Sequence, residues 1–493
     1  MAGGGTISLT DEHKIKRHNV GDDDNMNDMI TDLPEGILLH ILSLLSTKDA
    51  VRTSILAKKW RNIWTYLSDF YFRIDCPRHD SNDQNQKDMS NFLLDLVGRL
   101  ICKSNRIERL GITIYNTVVD ADKVGSLISS ASNHKIQCLR LSLGDQNNEF
   151  VLPHSFSAFE SLSELCLGLT FTLHIPTGIC FPSLKKLDVS DVTFANEDSV
   201  QQLFSGCPIL QELDLYNCDW KNIQQINVAI STLRKLRITF DILCVDYDHD
   251  MTVKIDAVNL ISLKCTCNPT IEFIPVNLTS LVDACINLGY VYPHSEPYAA
   301  QCVIELLRGL SSVKSLKIFN NTLECLSHAK DTLHLLPSFH NLTHLCVYSW
   351  SPEKTNGVLM DILQKTPKLE VLTIPGAVLN YLDGEDSILN SVPYCFKSSL
   401  NRLSILNFYG HDYEIQFVKF ILNSSLYLGD IEIHCSRHFS ADMEKMTNVW
   451  NQLEDVDVES CVIKFLYSYY SSDDEDDEDE AVNSGVLPAA EPL

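Results

Sequence analysis

Positive charge is scarce in this chain of 493 residues: 39 lysines and arginines face 65 aspartates and glutamates, for a formal net charge of −26. Such a chain repels phosphate backbones and is a poor general binder of nucleic acid. Long apolar runs are missing as well. No stretch of about 18 uninterrupted apolar residues exists to span a bilayer. The Gly-rich start, Met1 to Thr10, has no basic residues leading into an apolar run, so no secretory signal is expected. These absences point to the nucleus or cytoplasm. Chemistry-bearing motifs are also lacking: there is no Gly-rich phosphate loop, no His-Glu-x-x-His and no Gly-x-Ser-x-Gly. Cys265 and Cys267 are too close for a zinc-type pair and alternate onto one side of a predicted strand, as core residues would. Asp246, Asp248 and Asp250 cluster, but without the Gly turn or closing Glu of a calcium loop, so an exposed loop is expected. The sequence thus predicts neither catalysis nor a metal nor a cofactor.

What is present has to explain seventeen cysteines. In a reducing compartment they serve as small buried hydrophobes, and Cys166, Cys265 and Cys346 sit in apolar runs. The length exceeds one ordinary core, so two or more domains or an extended repeat array are expected. Three polar stretches punctuate it: 1–27, read as disordered; 76–90, read as a linker or exposed loop; and 471–493, read as disordered and holding the acidic run Asp473 to Glu480.

Between about residues 105 and 410 one phrase recurs: apolar, two others, Leu, one other, apolar. It reads Ile107-Leu110-Ile112, Ile136-Leu139-Leu141, Leu162-Leu165-Leu167, Leu184-Leu187-Val189, Leu210-Leu213-Leu215, Leu233-Leu236-Ile238 and Leu260-Leu263-Cys265. After a degenerate copy at Leu281-Ala284-Ile286, it resumes at Val313-Leu316-Ile318, Leu342-Leu345-Val347, Leu369-Leu372-Ile374 and Leu400-Leu403-Ile405. Twelve ordered copies identify a leucine-rich repeat. Alternation puts the apolar pair on one face of a short strand, and one strand cannot bury that face alone. Stacking builds a parallel sheet with a shared core. Segments such as Glu197 to Phe204 and Asn356 to Gln364 look helical and stop at Gly or before Pro. The predicted fold class is α/β, a horseshoe of parallel strands backed by helices.

Ahead of the array lies a denser segment. Thr31-Asp32-Leu33-Pro34-Glu35 is a helix start, with Thr31 or Asp32 able to cap. Seven of the nine residues from Ile37 to Leu45 are apolar, nearly all round the helix. A second helix carries Ala50, Val51, Ile55 and Leu56, and a third carries Trp60, Ile63, Trp64 and Leu67. Three short helices cannot bury that much apolar area among themselves, so a partner is required.

Asp32-Leu33-Pro34-Glu35, Ile37-Leu38, Ala50-Val51, Ser54-Ile55-Leu56, Lys58-Lys59-Trp60-Arg61 and Trp64 together resemble an F-box over residues 29–72. The resemblance implies docking on a Skp-type adaptor and, through it, on a cullin and a RING subunit of a ubiquitin ligase. Carried over by position, the adaptor-facing or core residues are Leu33, Pro34, Ile37, Leu38, Ile41, Leu42, Val51, Ile55, Leu56 and Trp60. Lys48, Arg52, Lys58, Lys59 and Arg61 are either a solvated face or a complement to an acidic adaptor. From Tyr394 through Phe408-Tyr409-Gly410 and Phe417 to Ile433, the chain resembles the FBD region that follows such repeats in a large plant group; it reads as a strand, a helix and a closing strand. The implied organisation is an F-box over 28–73, a linker and lead-in helix over 74–100, a repeat solenoid over 101–393, an FBD-like cap over 394–470 and the acidic tail over 471–493.

Residues alternating with the buried ones face out of the sheet. Acidic ones (Glu164, Asp188, Glu212, Asp214) precede basic ones (Lys235, Arg237, Lys264, Lys317), and Phe319 and Tyr348 follow. The basic middle and the two aromatics are either an uncommitted solvent face or a grip on an acidic protein segment. The expected role is the substrate-recognition subunit of a Skp–cullin–F-box ligase, non-catalytic and acting by proximity. Two alternatives stay open: a ligand-sensing co-receptor, and a scaffold using the repeats without the ligase.

Overall fold

A computed structural model describes residues 33–75, 83–115, 121–144, 149–240, 251–289, 296–328, 330–348, 358–376, 392–454 and 461–467. The N-terminal and C-terminal polar stretches, most of 76–90 and the Asp246–Asp250 cluster lie outside the described residues or have no described side chains. The chain divides into two compact units, 1–67 and 68–493.

The first unit begins with a helix, Glu35–Ser43, with Pro34 at the position just before it. The Pro34 carbonyl accepts from the Ile37 and Leu38 amides at 3.0 and 3.1 Å. Ser46 caps a second helix, Thr47–Arg52, its hydroxyl accepting from the Asp49 amide at 3.2 Å. The expected second and third helices both differ. The second stops at Arg52, so Ile55 falls in a tight turn, Thr53–Ile55, and the third forms as tight turns over Lys58–Arg61 and Ile63–Tyr66. Asn62, at φ −122°, breaks the helical path between the last two. Side-chain bonds within single turns, Trp64 to the Arg61 carbonyl and Thr65 to the Asn62 carbonyl, hold the turns in place of helix bonds.

In the second unit the described residues form one fifteen-stranded sheet whose assigned strand pairs are all parallel. Each repeat phrase supplies one strand in register. Leu187 pairs with Leu165 on one side and Leu213 on the other, and Val189 with Leu167 and Leu215. These apolar side chains are buried, while the residues between them stay partly exposed. The array is longer than the twelve phrases. Asp69–Asp75, which sequence reasoning ran together with the F-box, is the first strand and pairs with Arg109–Tyr115. Asp430–Cys435 and Val462–Tyr467 close the other end. The 83–90 part of the polar stretch is helical, within Asp83–Lys103. Gly111 is required where the ring of Tyr71 lies over it: a Cβ there would meet the ring at 2.5 Å.

The second layer is only partly helical. Helices stand at Ala121–Ala131, Glu197–Ser205, Glu296–Gly309, Asn320–Ser327 and Val358–Gln364. Elsewhere short strands replace them in two further parallel sheets, Glu149–Val151 with Thr172–His174 and Thr193–Phe194, and Gln225–Val228 with Thr252–Asp256 and Glu272–Asn277. Glu149–Val151, Thr193–Phe194 and Thr252–Asp256 lie in intervals as long as those that hold the helices Glu197–Ser205 and Val358–Gln364, so length alone does not set the choice. In the three shortest intervals, starting at Leu162, Leu210 and Leu260, too few residues remain for a helix and two connections, and the return segment runs extended. Its alternate residues, Leu173, Ile226 and Phe273, are buried.

Candidate docking face and open sheet

In the first unit, Leu38 and Leu42, one helical turn apart, face inward with Ala50, Trp60, Ile63, Trp64 and Leu67. The adjoining stripe, Ile37, Ile41, Leu44 and Leu45, is left half or more uncovered in part: Ile37 is 47% exposed and Leu44 74%. Ile55 and Leu56 project from the turn after the second helix, 87% and 67% exposed. Pro34 is exposed, and Leu33 and Val51 are half-buried. The predicted adaptor residues therefore sort into two groups. Leu38, Leu42 and Trp60 build the unit's own core, and the others present apolar surface. Leu44 and Leu45 belong with the second group and were missed, although they end the same apolar run. Exposed apolar surface of this density on a small unit marks an interaction site. Among the basic residues, Lys59 donates to the Leu33 carbonyl at 2.7 Å and Arg52 lies 3.5 Å from Asp49, whereas Lys48, Lys58 and Arg61 are exposed.

In the second unit, strand register aligns the outward residues into rows. One row runs Arg140, Cys166, Asp188, Asp214, Arg237, Lys264, Cys285, Lys317, Cys346. The predicted basic middle is thereby divided. Lys235 donates to Glu212 at 2.8 Å and Arg237 to Asp214 at 2.9 Å across neighbouring strands. Lys264 and Lys317 form no ion pair among the described residues; they stand on either side of Cys285. Phe319 is buried, its ring 5.3 Å from that of Tyr348, which is itself half-buried. The two aromatics pack on each other rather than standing as separate anchors. Burial pushes the carboxyls of Asp188 and Asp214 up, against the pull of Lys186 on Asp188 and of Arg237 on Asp214. Burial also raises the Cys285 thiol, opposed by Lys264 and Lys317. Cys265 and Cys267 are both buried with sulfurs 3.5 Å apart, as core residues. Among the described residues no group of three or more His, Cys, Asp or Glu is placed to hold a metal. No described helix is long and apolar enough to cross a membrane.

These features have counterparts in known proteins. The F-box domain model matches residues 30–71, the repeat model of the FBD-associated F-box protein At5g56370 matches 124–273, and the FBD model matches 389–433. The F-box/LRR-repeat protein At4g14096 of Arabidopsis thaliana is 31% identical over 359 residues, covering 71% of this chain and 74% of the relative. At4g14103, also an F-box/LRR-repeat protein of that plant, is 30% identical over 71% of this chain and 92% of its own. The F-box/FBD/LRR-repeat protein At5g22660 is 27% identical over 85% of this chain and 92% of its own. This chain belongs to the F-box/LRR-repeat family, with an FBD region after the repeats.

Proposed function

We infer that the chain is the substrate-recognition subunit of a Skp–cullin–F-box ubiquitin ligase, itself without catalytic chemistry, acting in the nucleus or cytoplasm. The F-box over 28–73 docks a Skp-type adaptor and, through it, cullin and a RING subunit. The observation that carries this reading is the uncovered apolar surface of Ile37, Leu44, Ile55 and Leu56 on a unit whose core is already filled by Leu38, Leu42 and Trp60. Such surface marks an interaction site. The repeats over 101–393 and the cap over 394–470 form the receptor, and the open sheet face, with Lys264 and Lys317 outside ion pairs among the described residues and Tyr348 partly exposed, receives a protein substrate with an acidic segment. Holding that substrate beside a ubiquitin-loaded enzyme raises effective concentration.

The test is capture of the adaptor by the full chain. Changing Leu33, Pro34 and Ile37 to Ala abolishes capture if the reading is right. Capture at wild-type level by that variant would instead favour a repeat scaffold that works without the ligase.

A further inference from the structure

The acidic run Asp473 to Glu480 has no place in the docking or receptor reading, and Lys264 and Lys317 on the open face form no ion pair among the described residues. We propose that the run is the resident occupant of the lysine strip, lying across Lys317 and Lys264 and competing with substrate for it. This rests on the open face being the substrate face, but the contact itself is independent of any ligase.

Reach is the first argument. The last strand, Val462–Tyr467, ends the sheet. Lys464 stands in the same row as Glu432, Ser404, Thr373, Cys346, Lys317, Cys285 and Lys264, in that order. Strands lie about 4.8 Å apart, so five steps place Lys317 about 24 Å from Lys464 and seven place Lys264 about 34 Å away. Extended chain spans about 3.3 Å per residue, so the run lies about 20 to 43 Å of chain beyond Tyr467. Both lysines fall inside that interval.

Charge is the second. Lys235, Arg237 and Lys464 are already taken by Glu212, Asp214 and Asp430. Lys264 and Lys317 are not, and Arg402, on the strand two steps from the end, also forms no ion pair among the described residues. Asp283 and Glu432 oppose the contact on the same stretch, against eight carboxylates in the run. Each exposed pair is weak alone. Tethering compensates, because a short linker holds the run at about millimolar effective concentration.

Zero-length carbodiimide cross-linking of the full chain, read by peptide mass spectrometry, tests this. The expected result is intramolecular links from 473–480 to Lys264 and Lys317 that fade as salt is raised. A synthetic peptide of residues 468–493 binds a chain ending at Tyr467 at least tenfold more tightly than it binds the full chain, and K264A/K317A removes that binding. Equal linking to Lys254 on the opposite layer, or no links to the two lysines, overturns the proposal. So do links that join two copies in isotope-mixed samples. None of these readouts uses adaptor or substrate, so the proposal and the ligase reading fail separately.

Discussion

Glu414, in the helix Asp412–Ser424, is fully buried and holds the turn before its own helix. Its carboxylate accepts from the Tyr409 amide at 3.1 and 3.2 Å and from the His411 amide at 2.7 Å. Those bonds favour the charged form. Burial outweighs them and pushes the carboxyl up to about 6 from its ordinary value of 4.5. A folded-state value above the unfolded one means the folded chain holds a proton that the unfolded chain has released between those limits. The stability gained is therefore present at lower pH and lost as pH rises through 6. Relative to Glu414→Gln, the wild type should gain about 1 kcal/mol on going from pH 7 to pH 5. Thermal melts of both proteins at both pH values measure this. An unchanged gap would mean the backbone bonds, not burial, set the carboxyl. On the open face, Arg237→Ala strands Asp214, whose Oδ1 is already buried without a hydrogen-bond partner among the described residues. The expected loss is about 1 kcal/mol in denaturant titration, since the pair is partly screened. Asp214→Asn in the same chain recovers most of it.

At the scale of elements, the first unit separates what folds from what docks. Ile55→Asp with Leu56→Asp touches only exposed side chains, so the melting behaviour should hold within about 0.5 kcal/mol. Adaptor affinity should fall by about 2 kcal/mol or more, roughly thirtyfold, in calorimetric titration. Leu42→Ala does the reverse: it opens the core and costs about 2–5 kcal/mol of folding stability. The contrast also shows how far the residues could be read. An apolar helix surface was visible in Ile37 to Leu45, but sequence alone could not say that Leu38 and Leu42 turn inward while Leu44 turns out. That depends on which side the Trp60 and Trp64 turns pack. Strands carrying Leu-x-Leu were legible because alternation and a leading apolar residue recur together. Val462–Tyr467 was not, since Val462, Ile463, Phe465 and Leu466 are apolar on both faces and give no period. Asp69–Asp75 alternates cleanly through Phe70, Phe72 and Ile74, but it lies against the F-box pattern in sequence and was absorbed into it. The extended return segments were hidden for a different reason. They are two to six residues long, and a short repeat marks only three of them.

The whole array is nearly one-dimensional: each interior strand touches its two neighbours, and no strand pairs across the sheet. Stability then accumulates from repeats and the interfaces between them. Charge works against it as a whole, because −26 is spread over a chain whose local pairs, such as Lys235 with Glu212, neutralise only some of it. A break in the middle should therefore divide the molecule rather than unfold it. Ile238 lies in the seventh strand, Lys235–Thr239, between Leu215 and Cys265, and is fully buried. Ile238→Pro removes a ladder donor and leaves a void, costing about 3 kcal/mol or more at that strand. The strands before it, with the stacked rings of Phe194 and Trp220, keep their own packed core. Those after it keep the helices Glu296–Gly309, Asn320–Ser327 and Val358–Gln364. Hydrogen exchange resolved strand by strand along a denaturant series should then show two midpoints, one on each side of residue 238, where the wild type shows one. A single shared midpoint in the variant would mean that the second layer, not the strand ladder, carries cooperativity along the array. The short sheet of Gln225–Val228, Thr252–Asp256 and Glu272–Asn277, which spans the break, would be the element responsible.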